Sequence, residues 1–294
     1  MLFFAALLVD GLLASAIYAL VALAFVVVYK ASGAVNFALG ELAMLGSRLV
    51  ATGIHAMELG LAGAIGSASA GMVVIALAFN QLVLRHMVGR PLISLIMVTL
   101  GLGALIRGAA PLVFGAVPGA IPLPIPSDPL DVHGVLVPAG RLVAAAVAIT
   151  CIIAVSAFFR FSRTGLALRA ISDDQQVALA MGIDVHRHVA LTWAMVGVIS
   201  VFTGALWTAI SGGGLGVVII GLKVFPILIV GGLDSVPGIM VGAVLIGVLE
   251  SLAAGYLDPL LGAGFSSIAP YLLLLAVLFV RPHGMFGRVQ IERV

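Results

Sequence analysis

The spacing of charged residues is the feature that most restricts how this 294-residue chain can fold. Between Asp10 and Lys30 there is no charged residue, and nearly every side chain is apolar. A helix needs about 20 such residues to cross a bilayer, since ~30 Å of hydrocarbon is covered at ~1.5 Å per residue. Further gaps of this kind cover residues 59–84, 91–106, 142–159, 188–222 and 259–280. The spacing predicts an all-α polytopic membrane protein with eight to ten transmembrane helices, the 188–222 gap being longer than one span.

The composition excludes the main soluble classes. Hydrophobic residues make up 63% of the chain and charged residues only 9%, whereas a soluble domain carries about 25% charged residues. Such a chain is neither a soluble globule nor a disordered segment. Its single cysteine, Cys151, excludes a disulfide scaffold and a multi-cysteine metal site. A formal net charge of +2 does not suggest nucleic-acid binding.

The positions of Lys and Arg predict the orientation, because these residues are retained on the cytoplasmic side. They concentrate near Arg85, in the 160–188 loop and in the 281–294 tail, which are therefore predicted to be inside. Segment 115–138 is rich in Pro and lacks Lys and Arg, so we expect an external loop without helix. Three other arginines would lie on the opposite side of the membrane: Arg48, Arg107 and Arg141. The side on which Lys223 lies is undecided. Residues 1–294 then form one transmembrane domain with its N-terminus outside and its C-terminus inside. Within the range of eight to ten helices, nine is the number that matches this orientation of the termini.

The start of the chain, MLFFAALLVDG, lacks the basic region and the small-residue cleavage site of a signal peptide. We therefore predict that it begins the first membrane helix. Two later segments, 33–48 and 221–238, are harder to interpret because they are short, and the second contains Pro226. Short segments interrupted by Gly or Pro indicate discontinuous helices that line a cavity. Tilted short spans or interfacial helices packed on their neighbours explain the same pattern.

The 160–188 loop is the longest polar insertion, and it predicts a short helix over 173–181. Ser172 and Gln175 have the spacing of a capping box, and Gly182 stands where a helix would end. The polar residues of this helix are acidic or neutral: Asp173, Asp174, Gln175 and Gln176. Because a lipid-bound interfacial helix has a basic polar face, a protein partner fits this one better. The alternative is that the loop only caps the helix bundle.

Motifs for catalysis and nucleotide binding are absent from the sequence. Neither Lys30 nor Lys223 stands in a G-x-x-x-x-G-K-[ST] loop, so the chain cannot cradle nucleotide phosphates in that way. The H-E-x-x-H, C-x-x-C and G-x-S-x-G patterns do not occur either. We therefore predict no catalytic residues, no metal site and no enzymatic activity for this chain. A channel is not supported, because no filter sequence is present.

Acidic residues within apolar segments need an explanation, because a charge in the bilayer centre costs about 2.5–3.5 kcal/mol on insertion scales. Glu41 and Glu250 are the two cases. They could carry a proton or a cation, or they could tie helices together through hydrogen bonds to Asn36, Ser251 or the backbone. Desolvation predicts that both are neutral or paired. Ion binding by these two acids would make the chain an ion-coupled secondary transporter.

Small residues are abundant, with 36 glycines in the chain. Helices in membranes approach closely where small residues meet. The Gly238–Gly242 pair has the G-x-x-x-G spacing in an apolar segment, so we predict close packing of the helix that carries it.

Four segments of the chain form an ordered set of motifs: YALVALAFVVVYKASGAVNFALGELAMLGS at 18–47, SRTGLALRAISDDQQVALAMGID at 162–184, the Gly-Gly, Ser, Pro-Gly, Gly and Glu pattern at 231–250, and RPHGMFG at 281–287. Together, and in this order, they resemble the branched-chain amino acid (Liv-type) ABC transporter permease family. Two positions depart from the family pattern. Leu39 stands where His or Gln is common, and Asp234 stands where a second Gly is common.

The resemblance implies an ABC importer permease fold in the cell inner membrane. The chain would form half of the translocation path for amino acids of the branched-chain type, or for a related small polar solute. The implied partners are a second permease chain, two ABC ATPase subunits and a periplasmic solute-binding protein. ATP and Mg²⁺ would bind to the ATPases, and this chain would hold no cofactor.

The resemblance also implies two sets of functional residues. The loop residues that would couple to the ATPases are Arg163, Gly165, Arg169, Ala170, Asp173, Asp174, Gly182 and Ile183. The residues that would lie on the translocation path are Asn36, Glu41, Phe225, Pro226 and Glu250.

Overall fold

The computed structural model describes residues 2–33, 35–87, 90–115, 117–124, 129–132, 134–173, 175–213, 216–233, 235–262, 264–281 and 284–286. The helices in chain order are α1 Leu2–Ser32, α2 Leu39–His55, α3 Leu61–Leu82, a 3-10 turn Leu84–His86, α4 Leu92–Phe114, α5 Ala139–Phe161, α6 Arg163–Asp173, α7 Gln175–Ala180, α8 Val185–Ser211, α9 Gly216–Gly231, α10 Val236–Leu252, a π-helical turn Ala253–Leu257, α11 Asp258–Leu261 and α12 Phe265–Val280. Two short strands, β1 Leu130–Val132 and β2 Val135–Val137, form an antiparallel hairpin that pairs Leu130 with Val137.

The prediction of an all-α polytopic membrane protein is confirmed. Among the described residues, six helical segments are long and apolar enough to cross a membrane: Leu2–Ser32, Leu61–His86, Ile93–Phe114, Ala139–Phe161, Val185–Ser211 and Val236–Leu261. Helices α9 and α12 are shorter and apolar, and α2 has 17 residues. The 188–222 gap holds most of α8 together with the start of α9, as its length predicted.

The chain divides into two compact units, each built from separate stretches of sequence. The first unit comprises Met1–Val26, Pro124–Ile149 and Lys223–Val294. The second unit comprises Val27–Leu123 and Thr150–Leu222. Three of the four boundaries between them fall inside α1, α5 and α9, so these helices contribute residues to both units, and the fourth lies between Leu123 and Pro124.

In the second unit, α2 packs against α8 through small residues. A Cβ added at Gly204 on α8 would overlap the carbonyl oxygen of Ala43 on α2. One added at Gly46 would lie 2.8 Å from the Cα of Val201. Because no side chain separates the two backbones, α2 and α8 approach closely, as expected for helices in a membrane.

In the first unit, α9 and α10 approach each other in the same way. An added Cβ at Gly238 would overlap the carbonyl oxygen of Gly231, and one at Gly242 would lie 2.6 Å from the carbonyl oxygen of Ile227. The close packing predicted from the G-x-x-x-G spacing is therefore confirmed. The helix α10 begins under a cap, in which the Ser235 hydroxyl accepts a hydrogen bond from the Gly238 N–H at 3.1 Å.

The structure corrects the bounds of one later helix and decides between two interpretations of another. The helix expected over 259–280 is shorter than this gap, because α11 ends at Leu261 and α12 begins at Phe265. Glycines with positive φ at Gly262 and Gly264 separate the two helices. For segment 221–238, the short continuous helix is the interpretation that fits, because Pro226 does not interrupt α9, which continues through it from Gly216 to Gly231. A proline removes one helical hydrogen bond, and transmembrane helices tolerate this loss when neighbouring helices pack around it.

The short helix predicted over roughly 173–181 is present as α7, Gln175–Ala180, but its predicted start and capping box are wrong. Asp173 is the last residue of α6, a helix for which the loop pattern offered no prediction, and α7 begins at Gln175. Ser172 therefore lies inside the last turn of α6 and does not cap a helix. Asp174 lies outside the described residues. Segment 115–138 contains no helix in its described part, but it does contain the β1–β2 hairpin.

Candidate functional site

Glu41 lies in the first turn of α2 and is 5% exposed. It forms an ion pair with Arg107 of α4, whose Nη2 donates to its Oε1. Gly103 on the same face of α4 leaves room for the carboxyl group, since a Cβ there would lie 3.2 Å from the Glu41 Cδ. The buried acid is therefore paired, as the desolvation penalty predicted.

Asn36 precedes α2 and is 1% exposed. Its Oδ1 accepts a hydrogen bond from the Ala38 N–H at 3.0 Å, so it stabilises the start of α2 and is not bound to Glu41. Within the described chain, its Nδ2 has no hydrogen-bond partner. Because a buried amide without a partner is costly, the Asn36 Nδ2 group is a candidate for contact with a polar ligand.

Glu250 on α10 belongs to a cluster of three side chains from three helices of the first unit. The Tyr18 hydroxyl of α1 donates to its Oε2 at 2.7 Å, and Lys223 of α9 forms an ion pair with its Oε1. The Lys223 ammonium also lies 5.9 Å from the centroid of the Tyr18 ring. Ser251, the partner predicted for this acid, instead donates to the Leu7 carbonyl oxygen at 2.8 Å.

Phe225 and Pro226 lie on α9, two and three residues after Lys223. Pro226 is buried, and Phe225 is half-buried. The Phe225 ring packs edge-to-face against Phe25 of α1, with centroids 5.7 Å apart. These residues lie near the Glu250 cluster in sequence, but Asn36 and Glu41 belong to the other unit.

The start of the 162–184 loop is fixed by a tight connection between α5 and α6. The Ser162 hydroxyl caps α6 by accepting a hydrogen bond from the Gly165 N–H at 2.8 Å. Gly165 is buried, and a Cβ there would lie 2.5 Å from the Phe159 carbonyl oxygen. A glycine at this position therefore lets α6 turn sharply after α5. Arg163 and Arg169 on α6 are exposed, and Ala170 is half-buried.

The end of the loop is fixed by Gly182, as the sequence predicted. This residue follows α7 with a φ of +80°, a conformation that glycine adopts without strain. Its N–H donates to the Leu179 carbonyl oxygen, and the Ile183 N–H donates to the Ala178 carbonyl oxygen, both at 3.0 Å. Ile183 then packs against a small core whose members come from α6, α7 and α8: Ile171, Ala178 and Val185. This core ties the loop firmly to α8.

Four apolar side chains of the loop point away from that core. Their exposed fractions are Leu166 61%, Val177 58%, Leu179 49% and Met181 78%. We call them the α6–α7 apolar surface. Several exposed apolar groups on one short polar loop are typical of a protein contact. Asp173 beside them is exposed, too.

The sequence alone did not identify Arg107, Lys223 and Tyr18 as partners of the two acids. From the sequence, Arg107 was assigned only to the outer side of the membrane, and the side of Lys223 was left undecided. The available indication was the position of both basic residues inside apolar segments, where a charge needs a partner of opposite sign.

Comparison with known proteins gives a consistent result. A family model described as the permease component of branched-chain amino acid transport systems matches residues 7–280. The high-affinity branched-chain amino acid transport system permease protein LivH of Escherichia coli (strain K12) is 30% identical over 314 residues, covering 100% of this chain and 98% of that protein. The corresponding protein BraD of Pseudomonas aeruginosa is 29% identical over 304 residues, covering 98% and 97%. No solved structure matches the chain at a significant level.

Proposed function

This chain belongs to the permease component family of branched-chain amino acid transport systems, and we propose that it forms half of the translocation path of an ATP-driven importer. It is a multi-pass membrane protein and an ABC transporter permease. The proposed cargo is a branched-chain amino acid or a related small polar solute, as the names of the relatives suggest.

The proposed topology places the N-terminus outside and the C-terminus in the cytoplasm, across the cell inner membrane. The order of α1, α2, α3, α4, α5, α8, α9, α10 and α12 supports it, because alternate crossings by these helices lead from outside to inside. With the N-terminus outside, the same alternation would put Arg85 and the 162–184 loop on the cytoplasmic side, in agreement with the distribution of Lys and Arg.

The proposed partners are a second permease chain, which is a paralogue of this one, two ABC ATPase subunits and a periplasmic solute-binding protein. The sequence itself has no phosphate-binding loop, which supports ATP and Mg²⁺ binding in the ATPases and no cofactor or enzymatic activity in this chain. The proposal needs a contact that transmits the movement of the ATPases to the membrane helices.

The α6–α7 apolar surface is the observation that carries this proposal. Leu166, Val177, Leu179 and Met181 would insert into a groove of the ATPase, and the charged residues proposed for the same contact are Arg163, Arg169, Asp173 and, outside the described residues, Asp174. The tight turn at Gly165, the cap at Gly182 and the packing of Ile183 would keep the loop rigid, and Ala170 on α6 is half-buried. A rigid loop joined to α8 moves with it, so closure of the ATPases would rock the helices between outward-open and inward-open states.

The proposed translocation path passes Asn36 and Glu41 in one unit and Phe225, Pro226 and Glu250 in the other. The unpaired Asn36 amide supports it, since this polar group could contact a solute in transit. The two acids contribute indirectly, because their ion pairs with Arg107 and Lys223 hold the helices that move. The same pairing argues against a coupling ion bound to these carboxylates.

The test is a double substitution, Val177→Lys with Met181→Lys, in the full transporter. Both side chains are exposed, so the permease should insert and fold normally. We expect at least a tenfold loss of ATP-driven uptake into proteoliposomes and of ATPase co-purification, because two buried cations would oppose docking. His186→Lys is the matched control, since His186 is exposed in the first turn of α8, directly after the loop, and lies outside the surface.

Uptake and co-purification at the level of the control would overturn the coupling role of this surface. Asp173→Arg tests the polar edge of the contact, and it should uncouple ATP hydrolysis from uptake. Solute uptake by the permease under an ion gradient, without any ATPase, would contradict the importer itself.

A further inference from the structure

A cavity of about 510 Å³ lies in the second unit, and its lining contains no member of either acid pair among the described residues. One wall is Arg48, in the C-terminal half of α2, and another is segment 119–122, which follows α4. The third wall is the end of α8, from Thr208 to Gly213. Its volume lies within the ~300–1,000 Å³ that is usual for small-molecule sites.

Arg48 brings a positive charge into this cavity. In the part of the chain that the structure describes, it forms no ion pair, and its single hydrogen bond reaches the Val117 carbonyl oxygen at 3.5 Å. Arg107, by contrast, is paired with an acid of its own unit. A guanidinium on a membrane helix is costly without a counter-charge, and its planar fork matches a carboxylate.

A second polar residue, Thr208, also lines the cavity. Thr208 is 4% exposed, and its hydroxyl has no hydrogen-bond partner among the described residues. A buried hydroxyl without a partner costs about 1–3 kcal/mol. Its oxygen is closed to solvent in this structure, so a ligand in the cavity reaches it after rotation of the Thr208 side chain. The remaining lining is small or apolar: Gly119, Ala120, Ile121, Pro122, Ala209 and Gly212.

We propose that this cavity binds the carboxylate of the transported solute. Arg48 pairs with the carboxylate, the Thr208 hydroxyl hydrogen-bonds to it, and a compact apolar side chain lies against Ile121, Pro122 and Ala209. This inference rests on the proposed function, which supplies a solute and puts the ends of α2 and α8 outside. The cavity is then where a solute released by the binding protein first meets this chain.

The test uses the full-length chain in lipid nanodiscs, with leucine and leucinamide as probes. Trp207 adjoins Thr208, and the chain has two tryptophans, so Trp193→Phe leaves Trp207 as the only fluorescent tryptophan. We expect leucine to change the fluorescence of Trp207. Arg48→Gln should weaken leucine binding at least tenfold, because one hydrogen bond from a charged group is lost. Leucinamide lacks the carboxylate, so its weak binding should be the same in both proteins.

Arg48→Lys and Thr208→Val provide milder changes, and both should weaken leucine binding less than Arg48→Gln. Arg85→Gln is the matched control, because Arg85 is an exposed basic residue outside the cavity. Equal leucine affinity with and without Arg48 overturns the proposal, and so does equal weakening of both probes. If Arg48→Gln lowers the affinity of the permease for the solute-binding protein and leaves leucine binding unchanged, the proposal is overturned. Arg48 would then form a docking contact with that protein. ATP-driven uptake by the assembled transporter is a separate measurement, and its failure in the unmodified protein would instead overturn the proposed function.

Discussion

The two intramembrane acids of this permease are neutralised in different environments. Glu41 is almost fully buried, but the side chain of its partner Arg107 is 55% exposed. Glu250 and its partner Lys223 are exposed to similar small extents, 17% and 16%, and Tyr18 adds a hydrogen bond. The Glu41–Arg107 pair is thus accessible at Arg107, and we call it the open pair. The cluster of Glu250, Lys223 and Tyr18 is largely inaccessible at both charged members, and we call it the closed cluster.

This difference predicts different contributions to stability. When one member of a buried pair is removed, the other is left as an uncompensated charge, and the cost depends on whether solvent can reach the space that the removed partner leaves. Water or lipid headgroups at the exposed Arg107 site can replace part of the lost interaction, whereas little can do so beside Glu250. The closed cluster also joins three helices, α1, α9 and α10, and the open pair joins only α2 and α4.

The largest effect is expected from Lys223→Met, which leaves Glu250 with only its Tyr18 hydrogen bond. We expect the free energy of unfolding in mixed micelles to fall by ~3–5 kcal/mol. Adding Glu250→Gln should recover most of the loss, because no unpaired charge then remains. A loss below about 1 kcal/mol, or no recovery in the double variant, would show that the cluster does not stabilise these helices.

A smaller effect is expected from Arg107→Met, which leaves Glu41 without its ion pair. The expected loss in the same unfolding measurement is about 2 kcal/mol, because solvent can partly replace an exposed guanidinium. Glu41→Gln in the Arg107→Met background serves as the control and should recover the loss. If Arg107→Met costs as much as Lys223→Met, partner exposure does not decide the strength of these pairs.

The smallest effect is expected from Arg141→Gln, which removes the ion pair between Arg141 and Asp10 in the first unit. The two side chains are 39% and 40% exposed, so the pair is screened by solvent. We expect a loss of about 0.5 kcal/mol or less, and 0.5 M salt should reduce it further. A loss above that of Arg107→Met would reverse the order that exposure predicts.

Much of the fold could be predicted from local sequence patterns. Apolar gaps indicated the helices, and Gly182 indicated the end of α7, because a residue with positive φ favours glycine. The errors arose where tertiary packing overrides local preference. Pro226 is a helix breaker in water, but α9 continues through it under close packing by Gly238 and Gly242 of α10. Ser172 had the spacing of a cap, yet α6 extends past it and Ser162 caps that helix.

The candidate sites were less predictable because their members are far apart in the chain. Arg107 is 66 residues from Glu41, and Tyr18 is 232 residues from Glu250. The sequence indicated that both acids needed a partner, but several basic residues were available. Only the rotation of each helix about its axis decides which of them meets which acid. The 510 Å³ cavity around Arg48 has the same origin, since it combines α2, α8 and a loop.

The sequence by itself determined that this chain lies in a membrane as a bundle of helices, that it lacks a phosphate-binding loop, and that its two buried acids need neutral or paired states. These properties follow from transfer free energies, which depend on residue type and on spacing along one helix. Tertiary structure alone decided which basic residue pairs with each acid, and whether that pair is open or closed. It also decided that Arg48 and Thr208 line one cavity. Such features depend on distances between helices, and packing of the whole chain sets these distances.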